Sequence, residues 1–92
     1  MTLYTSTQGA DVCRTFAGLA LGIPPHHLTV KCQRLGGGFG AKLTKCVWNA
    51  VGAAVCAHVC RKPVKFQNDI ATDMALMGHC RYVCQCLPYF IN

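Results

Sequence analysis

The sequence predicts an α+β fold: a strand–helix–strand–glycine-loop–helix–strand segment that packs against further protein. Three features of the 92 residues carry this expectation. Leu28-Thr29-Val30-Lys31-Cys32-Gln33-Arg34 alternates apolar and polar residues, as a half-buried strand does. Stretches on either side of it place apolar residues at helical spacing. Between that strand and the second helix stands Arg34-Leu35-Gly36-Gly37-Gly38-Phe39-Gly40-Ala41-Lys42, which holds four of the chain's nine glycines.

Each element has a local reason. Thr2 to Thr5 reads as a short strand. Ser6, Thr7 or Asp11 can cap the helix that follows, whose apolar positions are Val12, Phe16, Leu19 and Ala20. Gly22 suits a left-handed C-terminal cap, and Pro24-Pro25 prevents continuation. His26-His27 fall in the connector and read as a solvated turn. After the glycine loop, Thr44 to His58 reads as a helix. Its Val47, Val51, Val55 and Val59 recur at intervals of four and are expected to face the core, with Trp48 beside them. Ala50, Gly52, Ala53, Ala54 and Ala57 are small enough for close approach to a neighbour. Pro63-Val64-Lys65-Phe66 is expected to be a strand, closing a strand–loop–helix–strand unit. The pattern over Asp69 to Met77 is ambiguous, and none is assigned beyond Gly78.

Composition narrows the class. Apolar residues make up 52% and charged residues only 13%, against ~25% charged in an ordinary domain. So little charge cannot cover the surface, which implies burial against more protein. Net charge is +6, yet the basic residues are scattered and only Arg61-Lys62 are adjacent. Nucleic-acid binding, which calls for clustered charge with interleaved aromatics, is not expected. The sign suits an anionic cofactor or an acidic partner. No signal-peptide pattern opens the chain. The longest apolar run, Val47 to Cys60, is shorter than the ~20 residues of a membrane span. The expectation is a soluble, cytoplasmic protein without a membrane segment.

Cys13, Cys32, Cys46, Cys56, Cys60, Cys80, Cys84 and Cys86 are expected to be reduced and mostly structural, since thiols bury readily and no secretory signal is seen. Two alternatives stay open: disulfides, or a zinc site built from His79 and the Cys80–Cys86 cluster, although no C-x-x-C knuckle is present.

The glycine run carries the chemistry. Glycine allows positive φ and close backbone approach. A helix N-terminus just beyond would add free N–H groups and partial positive charge. Together they would seat an anionic or electron-rich group. The Walker A pattern fails, because the position that should carry a hydroxyl is Leu43. The dinucleotide fingerprint G-x-G-x-x-G/A is met by Gly36, Gly38 and Ala41. The acidic residue it needs about 20 positions on could only be Asp69, which lies too far along. A Rossmann-like dinucleotide unit therefore remains an alternative.

Leu35-Gly36-Gly37-Gly38-Phe39-Gly40-Ala41-Lys42 resembles the glycine–phenylalanine loop of the molybdenum hydroxylases, the xanthine dehydrogenase and aldehyde oxidase family. The resemblance extends through Ser6-Thr7-Gln8, Leu21-Gly22-Ile23-Pro24, the alanine-rich helix, Lys62-Pro63-Val64-Lys65, Asp73-Met74 and Gly78, ungapped over roughly residues 3 to 82. It implies that residues 1–82 are part of a larger molybdopterin-binding domain, with 83–92 an unassigned tail. Gly36, Gly37, Gly38, Phe39, Gly40 and Ala41 would contact the cofactor, molybdopterin with molybdenum. No catalytic residue and no direct metal ligand would lie in this segment.

The implied chemistry is oxidative hydroxylation of an aldehyde or N-heterocycle. Electrons would leave through iron–sulfur clusters to FAD in the intact parent, a homodimer. Partners would be the rest of the molybdenum domain and the cluster and flavin domains, and the isolated chain would be inactive. Where xanthine dehydrogenases carry a purine-recognising glutamate after the loop lysine, this chain has Leu43. That makes Leu43 a substrate-pocket candidate and favours an aldehyde over a purine. Ala41 stands where glycine is usual, which requires a negative φ there. Ile70 replaces a common arginine, and His79-Cys80-Arg81 a glycine–arginine–histidine run.

Overall fold

Parallel pairing organises the sheet. In a computed structural model that describes residues 1–77, β1 (Thr2–Tyr4) pairs with β2 (Thr29–Lys31), Leu3 opposite Val30. Parallel neighbours need a long crossover, and α1 (Ala10–Leu21) supplies it. The βαβ unit thus precedes the glycine loop. The strand–loop–helix–strand unit anticipated after it does not form. Residues 63–66 run without a ladder partner among the described residues. Pro63 offers no N–H to a ladder, and Arg61, left-handed at φ 55, turns the chain as α2 ends.

None of the three candidate side chains caps α1. The cap position falls on Gly9 and has no side-chain hydrogen bond. Asp11 sits in the first turn, where its charge favours the helix dipole, and pairs with Arg14 at 3.1 Å. At the other end Gly22 takes φ 67 and its N–H reaches the Gly18 carbonyl. The next amide, of Ile23, bonds the same oxygen at 3.1 Å. A single 3₁₀ turn, Pro25–His27, leads into β2.

α2 (Val47–Cys60) lies across α1 and the sheet. Its buried face is not the valine stripe. Val47, Ala50 and Ala54 are buried and Val51 is half-buried, whereas Val55, Val59 and Trp48 are exposed, Val59 at 74% and Trp48 at 78%. The helix has rotated so that its alanines meet α1. Branched side chains at those positions would hold the two helices apart. The core pairs small helix residues with a few larger ones: Cys13, Cys46, Val47 and Ala50 form one cluster, and Leu3, Ala17, Leu28 and Ala54 the other. Phe16, Leu19, Trp48 and Ile70 stay on the surface.

The ambiguous stretch is helical as α3 (Ile70–Met77). Asp69 caps it, its Oδ1 accepting the Thr72 amide at 3.2 Å. Hydrogen bonding from Thr72 holds the Asp69 carboxyl below its ordinary value. The cap is therefore present at neutral pH and is lost as pH falls through that lowered value. Gly78, His79-Cys80-Arg81, the Cys80–Cys86 cluster and the 83–92 tail lie outside the described residues. Among the described residues no helix is long and apolar enough to cross a membrane.

Candidate functional site

The glycine loop leaves β2 and ends in a tight turn. The Ala41 amide donates to the Gly38 carbonyl at 2.9 Å. The two central residues, Phe39 and Gly40, take φ 50 and 87, the pair of positive values that a type I′ turn requires. Glycine adopts such a φ freely, while phenylalanine does so at a cost. An aromatic residue held there and 99% exposed is an outlier that points to function. Gly37 also has positive φ, 106, and a Cβ there would stand 3.0 Å from the Phe39 ring. Ala41 is not among the positive-φ residues, so its methyl group is accommodated.

The helix N-terminus expected next to the glycines is displaced. Turns occupy residues 39–46 and α2 starts only at Val47, whose amide bonds the Thr44 carbonyl at 3.1 Å. The donors at the loop are instead its own amides. Those of Gly36, Gly37, Gly38 and Phe39 have no hydrogen-bond partner among the described residues. The chain's three acidic residues make their contacts elsewhere, Asp11 with Arg14 and Asp69 and Asp73 within α3.

A strap formed by Ser6-Thr7-Gln8 holds the loop. Ser6 Oγ donates to the Arg34 carbonyl at 3.3 Å, where the loop begins. Gln8 Oε1 accepts the Gly40 amide at 3.0 Å at the tip. The Lys42 carbonyl, at the exit, accepts the Gln8 amide at 2.8 Å and the Thr7 hydroxyl at 3.0 Å. Thr7 is the chain's one buried polar side chain among the described residues, at 4% exposure. Its Oγ1 also accepts the Gly9 amide at 3.0 Å and lies 3.3 Å from Cys46 Sγ and 3.6 Å from Cys13 Sγ. In sequence, Ser6 and Thr7 present themselves as helix caps and Ser6-Thr7-Gln8 as part of the family resemblance, with nothing to mark this strap. The missing signal is three-dimensional, since residues 6–8 and 34–42 meet only once β1 and β2 have paired.

Leu43 is half-exposed, and its Cδ1 would lie 3.2 Å from a Cβ on Gly9. A cavity of about 960 Å³ runs along β1, Asn49, Ala50 and Ala53 of α2 and the extended segment 61–68. It reaches the loop only at Lys42. Gly36 and Gly40 therefore stand on an open surface, with empty space where a Cβ would be, while a Cβ on Gly37 or Gly38 would meet the Phe39 ring or the Gln8 side chain. Bare amides, flanking Gln8 and Lys42 and this open approach fit one wall of a seat for a phosphorylated, electron-rich group. The opposite wall is not built by the described residues.

The five described cysteines are free thiols. Burial raises the Cys13 thiol above its ordinary value, with the Thr7 contact working against that rise and Cys46 adding to it. Cys32, Cys56 and Cys60 are exposed. Iodoacetamide at neutral pH should label these three roughly tenfold faster or more than Cys13 and Cys46. Peptide mass spectrometry over time checks the order, and equal rates would contradict the buried placement. Among the described residues no group of three His, Cys, Asp or Glu side chains could hold a metal. His26 and His27 pack edge to face in their exposed turn, ring centres 4.3 Å apart. The Cys80–Cys86 zinc alternative lies outside the described residues. Among the described residues the dinucleotide alternative lacks its framework: no strand follows α2, and Asp69 caps α3 rather than standing free for a ribose.

Comparison with known proteins gives the class. The chain belongs to the molybdopterin cofactor-binding domain family, whose model matches residues 1–85. Over 78 residues it is 38% identical to an indole-3-acetaldehyde oxidase of Zea mays, 36% to aldehyde oxidase 4 of Arabidopsis thaliana and 35% to the xanthine dehydrogenase/oxidase of Rattus norvegicus. Each alignment covers 85% of this chain and 6% of the relative, so the chain spans a small part of these proteins' length. No solved structure matches it.

Proposed function

We propose that this chain is a segment of an aldehyde-oxidase-like molybdenum hydroxylase, and that Gly36, Gly37, Gly38, Phe39, Gly40 and Ala41 form one wall of its molybdopterin seat. The observation that carries this reading is the set of unpartnered amides from Gly36 to Phe39 at an open surface. Bound there, the molybdenum cofactor supplies oxidative hydroxylation of an electron-poor carbon, which no side chain of this segment performs. The segment's own task is positional. The glycines let backbone donors approach without a Cβ in the way. Phe39 extends an aromatic face from the turn tip, and Gln8 and Lys42 flank the donors with further N–H groups.

Residues 1–82 act within a larger α+β domain, whose remaining chain supplies the opposite wall and the catalytic groups. Iron–sulfur and FAD domains carry electrons away in a cytoplasmic, homodimeric parent. The isolated segment holds no cofactor and turns over no substrate. Leu43 cannot hydrogen-bond a purine, so an aldehyde is the favoured substrate class. The test is the parent enzyme that contains this sequence, analysed for molybdenum and assayed with an aromatic aldehyde and with a purine. Stoichiometric molybdenum, aldehyde oxidation and little purine oxidation are expected, and Leu43→Glu should raise the purine rate. A folded parent without molybdenum would contradict the reading.

A further inference from the structure

We infer that Thr7 is a positioning residue: its buried hydroxyl latches the exit of the glycine loop to α1 and so sets the direction of the loop's amides. The inference rests on the reading of that loop as a cofactor seat, and extends it to a residue the loop itself does not contain.

The geometry singles out one oxygen. Thr7 Oγ1 donates to the Lys42 carbonyl at 3.0 Å and accepts the Gly9 amide at 3.0 Å, so it joins the loop exit to the cap position of α1. Cys46, at the cap of α2, brings its thiol to the same oxygen at 3.3 Å and to the same Lys42 carbonyl at 3.1 Å. Cys13 of α1 closes the cluster at 3.6 Å. One hydroxyl thus ties three points of the chain: the start of α1, the end of the glycine loop and the start of α2. Only a side chain that both donates and accepts can do this. A hydroxyl does, while a methyl in its place would leave the Gly9 amide and one bond to the Lys42 carbonyl unmade in a dry site.

The cluster also explains the two buried cysteines, which are free thiols and belong to no metal-ligand group among the described residues. They are weak donors that share the Thr7 and Lys42 oxygens without requiring a further partner. The loop glycines are free to flex by composition. Their conformation is fixed from outside, by Thr7 at the exit and by Gln8 at the tip.

The test is hydrogen exchange by mass spectrometry on the whole chain, comparing Thr7→Val with Thr7→Ser. The reporting amides are Gly40, Ala41 and Leu43, which are hydrogen-bonded within or to the loop, and the internal control is a peptide from α2. Thr7→Val should exchange roughly tenfold faster at the Gly40, Ala41 and Leu43 amides, equivalent to about 1.4 kcal/mol of local opening. The α2 peptide should be unchanged, and Thr7→Ser should restore the slow rate. No acceleration overturns the inference. Equal acceleration in the loop and in α2 also overturns it, because Thr7 would then be an ordinary core residue. A second readout separates the latch from the cofactor seat. Faster loop exchange combined with full molybdenum content in the Thr7→Val parent enzyme would support the latch and count against the seat.

Discussion

Gly38→Val is expected to strip molybdopterin from the parent enzyme while leaving the fold of this segment intact. A Cβ at Gly38 would overlap the Gln8 side chain. Gln8 is exposed and can swing aside, so the chain avoids a hard clash. In doing so it gives up the Gln8 bond to the Gly40 amide, worth about 1 kcal/mol. The valine also places two methyl groups among the bare amides that would face the cofactor under the proposed reading. Loss of the tip contact and a blocked approach together should lower cofactor retention by roughly tenfold or more. Gly52→Ala on α2, outside the loop, is the matched control, because a Cβ there also meets nothing within 4 Å. Metal analysis of the two variants checks this. Full molybdenum content in Gly38→Val would mean that the loop is not the seat.

The second large effect falls on stability. Ala54 is 0% exposed and lies among Leu3, Ala17 and Leu28. A leucine at this position cannot fit without separating α2 from the sheet, and overpacking of this kind costs about 1–3 kcal/mol. Small domains have only about 5 kcal/mol to lose, and each kcal/mol shifts Tm by roughly 4–8 °C at this size. Ala54→Leu should therefore lower Tm by about 10 °C or abolish cooperative melting in far-UV circular dichroism. Val59→Ala, on the exposed side of the same helix, should change it little. The reverse ranking would restore the valine stripe as the buried face.

These two residues also mark how far the sequence can be read. Features fixed by neighbouring residues were legible: Gly22 as the left-handed end of α1, the break at Pro24-Pro25, and a glycine loop after β2. Features that depend on distant pairing were not. The sheet joins β1 to β2 across α1, whereas residues 63–66 are strand-like in sequence but have no ladder partner among the described residues. The face of α2 was misread because side-chain size, rather than hydrophobicity, decides which side can approach α1. Valine stripe and alanine stripe are both apolar; Val47 joins Ala50 against Cys13, but beyond Val51 the small Ala54 rather than Val55 or Val59 meets Ala17. At the site, the glycines were visible in the sequence, but the strap was not. Ser6-Thr7-Gln8 looks like helix-capping chemistry until folding brings Lys42 against it.

The most direct measurement is hydrogen exchange at the amides of Gly36, Gly37, Gly38 and Phe39 in the parent enzyme, with and without bound molybdopterin. These groups lack partners among the described residues, so they should exchange rapidly in the cofactor-free enzyme and slow by roughly tenfold or more once donors meet the cofactor. Exchange that is equally rapid in both forms would contradict the assignment of this loop as the seat.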